Sequence, residues 1–187
     1  GPPMNENRRA GLASLRSVSG VDIELVTDAD IPRWTIAGHP IPDAFQHLSA
    51  VHRSDYLRAY LMHHHGGGYS DVKRAGGSWI PAFDALDANP ELIGAGYPEV
   101  GRHGVAEFGL RLRRRWDVQP LVRDWWRYRW LQLHHGSLIG NGAFIYRPST
   151  ELTGAWLTEV DRRVAALAPA LARTRARVPK ERPGLDY

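Results

Sequence analysis

HHHGGGYSDVKR, His63 to Arg74, is the stretch on which the fold turns. Upstream of it, Leu48 to His64 has the length and periodicity of a helix, with Ser49 as its N-terminal cap. Gly66 to Gly68 ends that helix, because three glycines in a row favour a sharp reversal over a further helical turn. Tyr69 to Val72 then reads as a short strand. A helix turned abruptly into a strand is one α/β unit, and the flanking sequence offers more. Asn5 to Ser17 reads as a first helix broken at Ser19-Gly20. VDIELVT, Val21 to Thr27, alternates apolar and polar residues as a strand does and ends at an Asp28 to Asp30 turn. Downstream, Glu91 to Tyr97 (ELIGAGY) and Ser137 to Arg147 (SLIGNGAFIYR) read as strands. Thr150 to Arg175 reads as a long amphipathic helix interrupted near Pro169. The expected architecture is an α/β sandwich around a mainly parallel sheet, whose ligands gather at the carboxyl ends of the strands. Residues 1–177 form a single domain in this reading, and 178–187 a polar tail.

Composition narrows the field only slightly. The 187 residues, 43% of them hydrophobic, suffice for one sizeable core. There is no apolar run of about 18 residues and no charged-then-apolar leader, so neither a spanning helix nor a signal peptide is visible. Absence of cysteine removes disulfides and thiolate chemistry and makes the cytoplasm the default location. The net charge is +4, and of 24 basic residues only Lys73 and Lys180 are lysines, so a lysine inside the central stretch stands out. Positive charge together with seven tryptophans suits phosphate-bearing ligands, an anionic membrane face or nucleic acid.

Strand alternation would project Asp71 and Lys73 to one side, while Asp55 and Arg58, three apart on a helix, share a face. The glycine reversal brings the two pairs into one polar cluster. The triple histidine does not read as a metal site, because neighbours on a helix point about 100° apart. His134-His135 has the same difficulty, and His52 or His103 could serve as acid, base or acceptor contact if turned inward. RLRRRWDVQPLVRDWWRYRW, Arg111 to Trp130, is read either as an amphipathic helix packing Leu121, Trp125 and Tyr128 inward or as a binder of an anionic surface or glycan.

SAVHRSDYLRAYLMHHHGGGYSDVK, Ser49 to Lys73, resembles the Ser-Asp-x-x-Arg, Gly-Gly-x-Tyr-x-Asp-x-Asp core of sugar transferases of the capsular-polysaccharide and yeast mannosyltransferase type, shared with clostridial glucosylating toxins. Weaker similarity extends to NENRRAGLASLRSVSGVDIELVTD and to LIGNGAFIYRPSTELTGAWL; together the blocks cover somewhat over a third of the chain. The resemblance implies a GT-A (Rossmann-like) fold, a UDP- or GDP-linked sugar donor, and transfer with retention to a glycan or lipid-linked acceptor in bacterial surface-polysaccharide synthesis. It matches Asp55, Arg58 and, more loosely, Asn141 to sugar binding, Tyr69 to the aromatic beside the donor, and Asp71 to the first carboxylate of Asp-x-Asp, the ligand of Mg²⁺ or Mn²⁺. Lys73 stands where the second carboxylate is expected. That departure leaves three courses: a metal-independent site in which Lys73 meets the diphosphate, a weaker metal site held by Asp71 and water, or donor binding without catalysis. Family members also begin with a strand and continue into acceptor-side segments for which this sequence has no counterpart; the expectation is that these are missing or come from another chain. Peripheral contact with the inner membrane face through Arg111 to Trp130 belongs to the same reading. The rivals are a non-catalytic nucleotide-sugar or carbohydrate-binding module and a basic nucleic-acid-binding domain.

Overall fold

Asn5 accepts a hydrogen bond from the Arg8 amide at 2.9 Å and so caps α1 (Glu6–Val18), within a residue of the expected helix. The computed structural model describes residues 4–105 and 118–173. After α1 come α2 (Ile31–Trp34), α3 (Ala50–His64), β1 (Gly67–Ser70), α4 (Ile80–Ala88), β2 (Gly94–Pro98), α5 (Val118–Leu133), β3 (Ile139–Tyr146) and α6 (Glu151–Arg173). The described residues are mixed α/β, 56% helix and 12% strand. The polar tail and residues 111–117 of the basic stretch lie outside the described residues.

The junction that opened the sequence reading is built as its residues dictate. Ser49 Oγ accepts from the His52 amide at 3.3 Å, the capping bond expected at the start of α3. At the other end the Gly66 amide reaches back to the Leu61 carbonyl at 3.0 Å, and Gly66 and Gly67 adopt φ of 67° and 81°. These left-handed conformations cost glycine nothing. The chain leaves them directly into β1, which pairs antiparallel with β3 in the register Gly67↔Tyr146 to Ser70↔Ala143.

The sheet order is β1-β3-β2. Arg147 donates to the Ile93 carbonyl and Glu99 to that of Leu138, so the β2 side of β3 is antiparallel as well. The expected mainly parallel sheet is therefore corrected: the described strands form a three-stranded antiparallel sheet. Its two outer strands run the same way, joined by a crossover through α4. Val21 to Thr27 contributes no strand. Its inward-outward alternation is present, with Val21, Ile23 and Leu25 less exposed than Asp22 and Glu24, but it enters no ladder among the described residues. Alternation reports which faces meet water, not whether a neighbour supplies hydrogen bonds. The expected break near Pro169 is also absent, since α6 runs through it and forgoes one backbone bond. Two helices went unread: the single turn of α2, and α4, with Pro81 in its first turn, where a missing N–H is tolerated.

The chain divides into two compact units, one of residues 1–41, 58–96 and 142–157, the other of 42–57, 97–141 and 158–187. In the first, Leu15, Tyr60, Met62, Leu86, Phe144 and Ile145 are buried. Tyr60 accepts from the Ile36 amide at 2.9 Å and donates to the His39 carbonyl at 2.6 Å, so its hydroxyl is satisfied where water is scarce. Arg147 donates to the carbonyls of Leu86, Asn89 and Leu92, closing the C-terminal end of α4. In the second unit Phe45 meets Tyr56 edge-on at 5.4 Å, Arg53 lies over Phe45, and the Tyr56 hydroxyl donates to Asp161 at 2.8 Å.

Candidate functional site

Four of the expected site residues meet. Arg58, buried on α3, donates through Nη2 to the Tyr69 hydroxyl at 2.9 Å, and its guanidinium lies 4.4 Å from the centre of the Tyr69 ring. The same hydroxyl donates to Asp71 Oδ1 at 2.8 Å. Asp71 Oδ2 is paired with Lys73 Nζ at 2.8 Å, and Arg58 Nη2 stands 4.0 Å from Oδ1. Tyr69 is fixed from the far side by Phe144, its partner across the β1–β3 ladder, stacked at 5.2 Å.

Asp71 and Lys73 do face one direction, but not by strand alternation. β1 stops at Ser70; Asp71 still donates its amide to the Gly142 carbonyl at 2.8 Å, and the Lys73 amide then turns back to the Asp71 carbonyl at 2.7 Å. A tight turn brings the ammonium onto the carboxylate. Three residues of α1 hold this turn: Arg8 donates to the Val72 carbonyl at 3.3 Å, Ser14 Oγ accepts from the Ala75 amide at 3.1 Å, and Gly11 lets the backbones approach so closely that a Cβ there would sit 3.1 Å from Lys73 Cα. The spacing i, i+3, i+6 of arginine, glycine and serine was the available sign of a second working face.

Burial of Asp71 favours its neutral form, but hydrogen bonds from Lys73 and Tyr69 and the charges of Lys73 and Arg58 outweigh it and hold its carboxyl below the ordinary 3.8. A lowered folded value means that the ionised group stabilises the fold fully above pH 3.8 and ceases to as pH falls through that lowered value. The difference in Tm between the native chain and Asp71→Asn is therefore expected to be positive and flat at neutral pH and to vanish under strongly acidic conditions; a gap that instead widens with acid would contradict the pairing.

Asp55 sits half-buried on α3 and Asn141 is exposed on β3, both in the second compact unit, whereas the four clustered residues lie in the first. The three histidines do not converge on one point: His63 pairs with Thr153 and meets His64 edge-on at 5.0 Å, His64 also packs on Tyr60 and His39, and His65, just past α3, donates to the Trp34 carbonyl. His52 is buried against Ser49. Trp125, expected to pack inward, is 46% exposed on α5. Among the described residues no group of three histidines and carboxylates could hold a metal ion. Both oxygens of Asp71 already accept from cationic or hydroxyl donors, and Mg²⁺ or Mn²⁺ there would need about six oxygen ligands around a position now facing an ammonium. The donor set does not fit such an ion. No helix among the described residues is long and apolar enough to cross a membrane.

Set beside known proteins, the chain matches no family model, no curated protein and no solved structure. Its chemistry must be argued from the cluster itself. Within the four side chains two cations face one carboxylate, leaving a net positive charge whose outermost member, Lys73, is 70% exposed. Such a site is suited to an anion.

Proposed function

We propose that the chain is a GT-A-like glycosyltransferase that takes a sugar from a UDP- or GDP-linked donor in the cytoplasm and passes it to a glycan or lipid-linked acceptor, as in surface-polysaccharide synthesis. The observation that carries this reading is the meeting of Arg58, Tyr69, Asp71 and Lys73, residues drawn from a helix, a strand and a turn, with an exposed ammonium at the outer end.

In this mechanism Lys73 meets the diphosphate and offsets the charge that grows on it as the glycosidic C–O bond breaks. The acceptor hydroxyl forms the new bond from the same face and gives its proton to the departing phosphate, so configuration is retained. Arg58, buried beneath Tyr69, acts through it by fixing Tyr69 and Asp71. The sugar-binding roles of Asp55 and Asn141 rest on the resemblance alone.

Calorimetric titration with UDP- and GDP-sugars, with and without Mn²⁺, tests the proposal. Binding should need no metal and weaken by about tenfold or more in Lys73→Ala, the loss expected for a hydrogen bond to a charged group. Mn²⁺-dependent binding indifferent to Lys73 would return the role to Asp71 and a cation, and failure to bind any donor would end the family reading. The pairing of Asp71 with Lys73 also favours a second reading, a module that binds donor without turning it over. Affinity with no sugar transfer to a panel of glycans would select it.

A further inference from the structure

Over Asp124 to Leu133, α5 leaves a stripe of large apolar residues exposed. At about 100° per residue, Trp126, Trp130 and Leu133 fall within about 60° of one another on the helix, and they are 65%, 57% and 60% exposed. Asp124, on the opposite face, is buried. An ordinary surface helix would have the reverse arrangement. Arg129 borders the stripe on one side and Arg127 on the other, while Trp125 rests edge-on against Trp126 at 4.9 Å.

We propose that this face docks on the surface of a bilayer containing anionic lipid. Tryptophan rings suit the headgroup boundary, since they bury a large apolar area while keeping an N–H for polar partners. Guanidiniums on both rims would meet lipid phosphates. The same rims argue against a second copy as occupant, which would set like charges together. A convex helix also lacks the groove in which single strands of nucleic acid stack. The inference does not depend on the sugar-transfer proposal.

Sedimentation with vesicles of phosphatidylcholine, with and without phosphatidylglycerol, tests it. The chain should partition onto the anionic vesicles with a blue shift in tryptophan emission. Trp126→Ala/Trp130→Ala should bind about tenfold less, and Arg127→Gln/Arg129→Gln should lose on the order of tenfold, chiefly on anionic vesicles. Unchanged Tm and donor titration in these variants would separate docking from folding and from the Lys73 site. The proposal is overturned if the chain ignores anionic vesicles or binds them equally well without the tryptophans. It is overturned equally by a self-associating chain, or an oligonucleotide complex with steep salt dependence, that the tryptophan substitutions abolish while vesicle binding is absent.

Discussion

Gly66→Ala should destabilise the fold by about 3 kcal/mol, the sum of a left-handed backbone imposed on a residue with a side chain and a steric conflict that cannot relax cheaply. The conflict is with backbone: a Cβ on Gly66 would lie 2.7 Å from the Pro148 nitrogen and 3.0 Å from the Tyr146 carbonyl oxygen. Neither can swing aside like the tip of a flexible side chain. Tyr146 is held in the β1–β3 ladder and Pro148 is rigid in its own ring. Urea unfolding measures the change, seen as a lower midpoint at constant slope. Gly67→Ala is the internal comparison, because φ there is also positive, at 81°, but nothing lies within 4 Å of the added carbon. It should cost only the conformational part, about 1 kcal/mol. Equal losses at the two positions would show that crowding against Pro148 is not what fixes glycine at 66.

Arg58→Met should cost about 2 kcal/mol and lower Tm by roughly 4–8 °C. Methionine keeps much of the volume, so the loss measures polar chemistry. Removing the guanidinium withdraws the donor to Tyr69 and one of the two cations near Asp71, while Lys73 remains paired with the carboxylate and limits the damage. The same variant separates a structural arginine from a functional one. If donor affinity measured well below Tm falls along with stability, Arg58 positions the site. If stability falls and affinity does not, the cluster only holds the fold. Arg58→Lys should recover little, since an ammonium cannot both lie flat on the Tyr69 ring and reach its hydroxyl.

How much of this could be read beforehand depended on whether the physics was local. The ends of α3 were legible because a serine cap and a glycine stop act within a few residues. The approach of Arg58 to Asp71 and Lys73 was legible for a similar reason, since one reversal joins the two elements that carry them, whereas Tyr69, which links them through its hydroxyl, was expected only from the resemblance. Val21 to Thr27 misled because a strand is a statement about two segments, and one segment shows only its half. The manner in which Lys73 reaches Asp71 was out of reach as well: the strand ends one residue too soon for alternation, and the turn that replaces it is braced by α1, about sixty residues away in sequence. The tryptophans of α5 were ambiguous because periodicity locates a stripe without saying which way it faces.

The three carbonyls gripped by Arg147 bear on the order in which the chain assembles. They belong to residues 55 to 61 positions earlier in sequence, so the last turn of α4 gains its cap only once β3 has arrived beside it. A nine-residue helix is too short to persist alone in water. α4 and β3 are therefore expected to form in a single cooperative step with a sizeable loop to close, which would make this part of the molecule slow to fold relative to its helical content.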